Sequence, residues 1–125
     1  MLLLDGIQEA TEEKCIARIQ VLPSAWYADA DGTMPGWFGI ELMAQTVAAF
    51  SGFRKMQANL SPRIGFLLGT RIYESRIARF SGGDMLEVEA RLHYLDESGL
   101  SAFDCEIRHQ GQWVARAILK TFEPT

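Results

Sequence analysis

Apolar and polar residues alternate through several stretches of this chain, and one stretch breaks the alternation. Residues 13–22 place Cys15, Ala17, Ile19 and Val21 on one side and Lys14, Arg18 and Gln20 mostly on the other, the pattern of a half-buried strand. Residues 85–94 set Leu86, Val88, Ala90 and Leu92 against Glu87, Glu89, Arg91 and His93. Phe103, Cys105 and Ile107 mark one face of a further strand, and residues 112–122 read as the last. Residues 64–80 read as one long strand or two, with Gly65 and Gly69 as bulge candidates. Ser81-Gly82-Gly83-Asp84, Asp96-Glu97-Ser98-Gly99 and Gln110-Gly111 are turn signals, and such short connections predict antiparallel hairpins. Residues 2–8 form a short apolar segment, and residues 23–35 a loop punctuated by Pro23, Gly32 and Pro35.

The exception is residues 36–57, which predict a helix. Pro35 suits a first-turn position, Leu42, Met43, Ala44, Gln45, Ala48 and Ala49 are good helix formers, and Gly52 and the cations Arg54 and Lys55 fall near the end. One apolar helix followed by an antiparallel meander is an α+β pattern, with the helix expected to be wrapped by the sheet.

Composition narrows the class. The chain has 125 residues, 48% hydrophobic and 22% charged, which predicts one globular domain over 1–125 with no repeat or linker. Its net charge of −4 argues against general nucleic-acid binding. Cys15 and Cys105 lack metal or redox spacing and read as small apolar residues of a reducing compartment, so no metal or redox cofactor is expected. No basic n-region precedes Leu2-Leu3-Leu4, and the apolar stretch from Gly36 to Phe53 is interrupted and shorter than the roughly 20 residues a span requires. A cytoplasmic protein without a membrane segment is expected. A domain this small leaves little room for a private pocket, which suggests a site shared between subunits.

Between Gly36 and Phe53 the single ionisable side chain is Glu41. A carboxylate is expensive to bury unpaired, and an isolated acid in an apolar helix is a candidate general acid or base. Gln45, four residues on, shares its helical face and is placed to hydrogen-bond it. The structural alternative is an acid that caps a buried network or reaches solvent where the helix dipole favours it. Gly36 allows close approach to first-turn N–H groups that lack intrahelical partners and could polarise a carbonyl; the alternative is a Pro-Gly that merely turns the chain.

The block Met34-Pro35-Gly36-Trp37-Phe38-Gly39-Ile40-Glu41-Leu42-Met43-Ala44-Gln45 resembles the helix-start motif of the 3-hydroxyacyl-[acyl-carrier-protein] dehydratases. Pro35-Gly36, Glu41 and Gln45 match the motif's spacing. Gly65-Phe66-Leu67-Leu68-Gly69 and Val114-Ala115-Arg116-Ala117 look like the family's next and last strands. The resemblance implies a hotdog fold: a long central helix wrapped by an antiparallel sheet, in a dimer. It also implies elimination of water from a 3-hydroxyacyl thioester on acyl carrier protein or coenzyme A. Glu41 would take the acid role, Gly36 and Trp37 the backbone donors, and Gln45 would hold the acid.

One departure bears on the chemistry. The family's catalytic His stands eight positions before the Pro of Pro-Gly, and here that position is Tyr27. A phenol is a poor base at neutral pH. Asp29 or Asp31 in the same loop could serve instead, although loop acids before a helix are more often caps. His93 and His109 fall in later strands and are expected to face solvent. Family members also usually begin earlier, so this chain reads either as starting at an internal methionine or as naturally short. A subunit without His can lend its acid to a His-bearing partner, and the block is also similar to the accessory dehydratase-like proteins of aryl polyene biosynthesis. The leading expectation is therefore a dehydratase-like subunit of fatty acid or aryl polyene biosynthesis, in a homodimer or in a heterodimer with a His-bearing dehydratase. Two alternatives stand beside it: a hotdog thioesterase using Glu41, and a non-catalytic subunit that binds acyl chains or stabilises a partner. Residues 54–79 carry a net +5 against −9 elsewhere, which would suit an acidic carrier protein or coenzyme A phosphates if the charges share a face.

Overall fold

A computed structural model describes residues 3–59 and 66–123. Strand β1 (Gly6–Ala10) and strand β2 (Lys14–Gln20) form an antiparallel pair. A loop leads to the two-residue strand β3 (Met34–Pro35) and then to helix α1 (Phe38–Gln57). Strands β4 (Phe66–Ser75), β5 (Arg79–Phe80), β6 (Met85–Leu95), β7 (Leu100–His109) and β8 (Gln112–Phe122) follow. The main sheet has the order β1-β2-β6-β7-β8-β4, with every described pair antiparallel.

Alternation of side chains puts one face of this sheet against α1. Cys15, Ala90, Cys105 and Ala117 stand in register on four successive strands, and all are buried. Such a row of small side chains lets a helix approach the sheet closely. Larger neighbours close around it: Leu42, Met43, Val47 and Phe50 from α1, and Ile19, Leu86, Val88, Ile107 and Leu119 from the strands. Phe50 meets Phe103 edge-on at 5.6 Å. Burial of each such side chain contributes about 1.5–3 kcal/mol.

In the N-terminal apolar segment Leu3 and Leu4 bury their side chains in the core, and β1 begins at Gly6. Two local expectations change. Pro35 is not in the helix. It pairs with Arg79 in a small second sheet, Trp37 is the N-cap, and α1 starts at Phe38. Residues 64–80 contain two strands in different sheets, and β4 runs along β8 at the far edge rather than beside β6. Its register shifts between Leu67 and Gly69, as a bulge does, while Gly65 lies outside the described residues. The sheet wraps α1 as expected and leaves one face of it open. Trp37, Glu41, Ala48 and Met56 are exposed.

The helix ends where Asn59 takes a left-handed backbone (φ 56°) and donates its N–H to Met56 O. Gln110 and Gly111, both at positive φ, make the two-residue turn between β7 and β8. Among the described residues no helix is long and apolar enough to cross a membrane.

Candidate active site

The start of α1 is fixed by β4 and by the segment that joins it to β5. The Gly36 N–H donates to Ala78 O at 2.8 Å, and the Tyr73 hydroxyl donates to Gly36 O at 2.6 Å. Gly36 is thus held through both of its backbone polar groups. Neither contact tolerates a larger residue: a Cβ on Gly36 would lie 2.8 Å from Ala78 O, and one on Gly39 would collide with the Tyr73 hydroxyl. Burial pushes the Tyr73 phenol above its ordinary pKa, so at neutral pH it remains a donor.

These contacts alter the expected set of donors. The Gly36 N–H, expected to hold a substrate carbonyl, is already committed to Ala78. The Gly39 N–H bonds Gly36 O and the Ile40 N–H bonds Trp37 O. The N–H groups of Trp37 and Phe38 have no partner among the described residues. They lie at the positive end of the helix dipole, where a developing negative charge is favoured.

Glu41 sits one turn further along and is exposed. Of the two readings left open for this acid, buried or reaching solvent, the chain shows the second, because α1 leaves that face uncovered. Gln45 Nε2 donates to Glu41 Oε1 at 2.9 Å, and Gln45 Oε1 accepts the Leu3 N–H at 2.7 Å. The exposed face that carries Glu41 continues through half-buried Ala44 and exposed Ala48.

Tyr27, which the resemblance sets at the position of the family His, is buried at 7% exposure, and its hydroxyl accepts the Leu22 N–H at 2.9 Å. Its ring meets Trp26 and Phe38 with centroids 5.8 Å away in each case. Trp37 stacks on Phe38 at 4.1 Å, and Trp26 and Trp37 stay mostly exposed beside the helix start. Asp31 is a loop cap: it accepts from the Thr33 N–H and hydroxyl, which lower its pKa. Asp29 pairs with Arg79, tying the loop to β5.

The histidines stand apart from this arrangement. His93 is exposed and faces Asp104 at 3.4 Å. His109 is only half-exposed, set against Asp84 at 3.6 Å. Among the described residues the basic run does not form one free patch either. Lys55 pairs with Glu123 and Arg79 with Asp29, whereas Arg54 lies over Phe50 and Arg76 over Trp113. The side chains of Arg63 and Arg71 lie outside what is described. Among the described residues no cluster of His, Cys, Asp or Glu could hold a metal ion. Sequence reasoning missed Tyr73 and Ala78. Each acts through a hydrogen bond to a residue about forty positions away, which no local pattern announces.

A long helix against a six-stranded antiparallel sheet defines a hotdog-fold protein. The model of the ApeP-like family, described as ApeP dehydratase, matches residues 1–125, and the chain belongs to that family. The chain is similar to the dehydratase heterocomplex ApeI:P from Xenorhabdus doucetiae, at 26% identity and a TM-score of 0.92, covering 99% of this chain and 84% of that one. It shares its fold with the TT0310 protein of Thermus thermophilus, at 17% identity and a TM-score of 0.71, covering 93% and 88% of the two chains. It also shares it with a hypothetical thioesterase from Streptococcus pneumoniae TIGR4 in complex with coenzyme A, at 16% identity and a TM-score of 0.72, covering 94% and 86%. A comparison with curated proteins yields no match.

Proposed function

We propose that this chain is the accessory dehydratase-like subunit of a cytoplasmic aryl polyene pathway. It acts on 3-hydroxyacyl thioesters held by acyl carrier protein or coenzyme A and works with a His-bearing hotdog partner. The observation that carries this reading is Glu41, held on the open face of α1 by Gln45 while the position of the family base is filled by a buried Tyr27. The family match and the likeness to a dehydratase heterocomplex support it.

In this reading the partner's His removes the proton from the 2-carbon. The electron pair forms the double bond and expels the 3-hydroxyl, which leaves as water with Glu41 positioning or protonating it. The Trp37 N–H, with Phe38 beside it, takes the thioester carbonyl, whose oxygen gains charge in the transition state. Tyr27 serves the fold, since its hydroxyl is engaged and its ring is packed. The face carrying Glu41, Ala44 and Ala48 receives the partner subunit.

Mixing the chain with a His-bearing dehydratase subunit and following dehydration of a 3-hydroxyacyl thioester tests this. Turnover is expected for the mixture, little for either chain alone, and a loss on Glu41→Gln. Thiol release by the isolated chain would instead indicate a thioesterase. Full turnover by the mixture with Glu41→Ala would leave the chain a non-catalytic role.

A further inference from the structure

We infer that Tyr73 is a positioning residue for the site, aiming the Trp37 N–H at the thioester carbonyl. The inference rests on the dehydratase reading above and adds to it a residue outside the helix-start motif. Its physical basis is the planarity of one peptide unit. Gly36 C=O and Trp37 N–H belong to the same trans peptide, so they point in opposite directions. Tyr73 Oη donates to Gly36 O at 2.6 Å from the sheet side, and the Gly39 N–H donates to the same oxygen at 3.0 Å. With its carbonyl drawn toward β4, the peptide presents its N–H on the opposite side, away from β4. Two donors on one carbonyl also polarise the peptide and make that N–H a stronger donor.

The surroundings are shaped for this contact. Gly39 carries no side chain where the Tyr73 hydroxyl passes, and a Cβ there would strike it. Gly36 N–H is anchored to Ala78 O, so the preceding peptide is fixed as well. Tyr73 packs against the core, which leaves its ring little freedom to swing away. An N–H that is already oriented needs no reorganisation as charge develops on the carbonyl, which is how such donors lower a barrier. The effect belongs to the transition state more than to the bound substrate, so it falls on kcat rather than KM.

The test compares the wild-type chain with Tyr73→Phe, which keeps the ring and removes the hydroxyl. In the isolated chain the backbone amide resonance of Trp37 is expected to move and, with one donor fewer polarising its peptide, its base-catalysed hydrogen exchange to slow; an unchanged resonance and exchange rate would overturn the positioning role. In the complex with a His-bearing partner, kcat is expected to fall roughly tenfold with KM nearly unchanged. Retained kcat in Tyr73→Phe, alongside lost turnover in Glu41→Gln, would overturn the catalytic consequence and leave the dehydratase reading standing. Full turnover in Glu41→Gln would instead remove the dehydratase reading, and the Trp37 amide would then decide the positioning role alone.

Discussion

Gln45 Nε2 donates to Glu41 Oε1 at 2.9 Å, one helical turn away. The other end of the same amide accepts the Leu3 N–H at 2.7 Å. The two bonds agree on how the amide is turned, because its NH₂ faces a carboxylate and its oxygen faces an N–H. Glu41 is therefore oriented by the N-terminal segment through Gln45. Gln45→Ala is expected to lower kcat of the reconstituted complex about tenfold and to cost about 1 kcal/mol of stability, the worth of an ordinary hydrogen bond. Glu41→Gln should lower kcat at least a hundredfold while leaving the thermal midpoint close to wild type. Steady-state dehydration and calorimetry on both variants check the pair.

Gly39 is required by space rather than by backbone angle. Gly39→Ala places a methyl group against the Tyr73 hydroxyl and 3.1 Å from Ile107 Cδ1. Overpacking of this kind costs about 1–3 kcal/mol. A lowered denaturation midpoint with an unchanged denaturant slope is the expected result.

Tyr27 has a role that can be separated from catalysis. Tyr27→Phe removes the acceptor of the Leu22 N–H and should destabilise the chain by about 1–2 kcal/mol. Dehydration by the complex at a temperature where the variant is folded should stay within twofold of wild type. A loss comparable with that of Glu41→Gln would place Tyr27 in the chemistry instead.

The uncovered face of α1 yields a prediction about assembly. Ala48 is exposed between Glu41 and Met56, and a glutamate there would put a charge where the proposed partner packs. Ala48→Glu should retain its circular dichroism spectrum and lose co-elution with a His-bearing partner. Co-elution at wild-type strength would move the interface elsewhere.

The buried thiols predict an alkaline limit. Burial, with Asp104 and Glu89 adding smaller effects, pushes the Cys105 thiol from its usual 9.0 to about 12, and burial raises Cys15 as well. The folded state keeps a proton that the unfolded chain releases. Stability from this source is complete below pH 9.0 and falls as pH rises toward about 12. Cys105→Ala should flatten that decline in urea titrations between those limits. Neither native thiol should react with a disulfide reagent at pH 8 on the timescale on which the unfolded chain does.

Much of this protein is legible in its residues alone. Alternation at 15–21, 86–92 and 103–107 marks the strand faces because side chains in a strand point to opposite sides. The break in alternation after Pro35 marks the helix, and the spacing from Pro35-Gly36 to Glu41 and Gln45 marks the candidate site. These are local signals, carried by neighbours a few positions apart. The tertiary structure decided what depends on distant contacts. It moved Pro35 into a small sheet with Arg79, sent β4 to the edge beside β8, and left Glu41 on an open helix face. It also joined Tyr73 and Ala78 to Gly36, which took one expected donor out of use and left the Trp37 amide without a partner among the described residues. The physical reason is that hydrogen-bond partners and covered faces are set by which segments meet in space, and a residue's own neighbours in sequence do not encode that meeting.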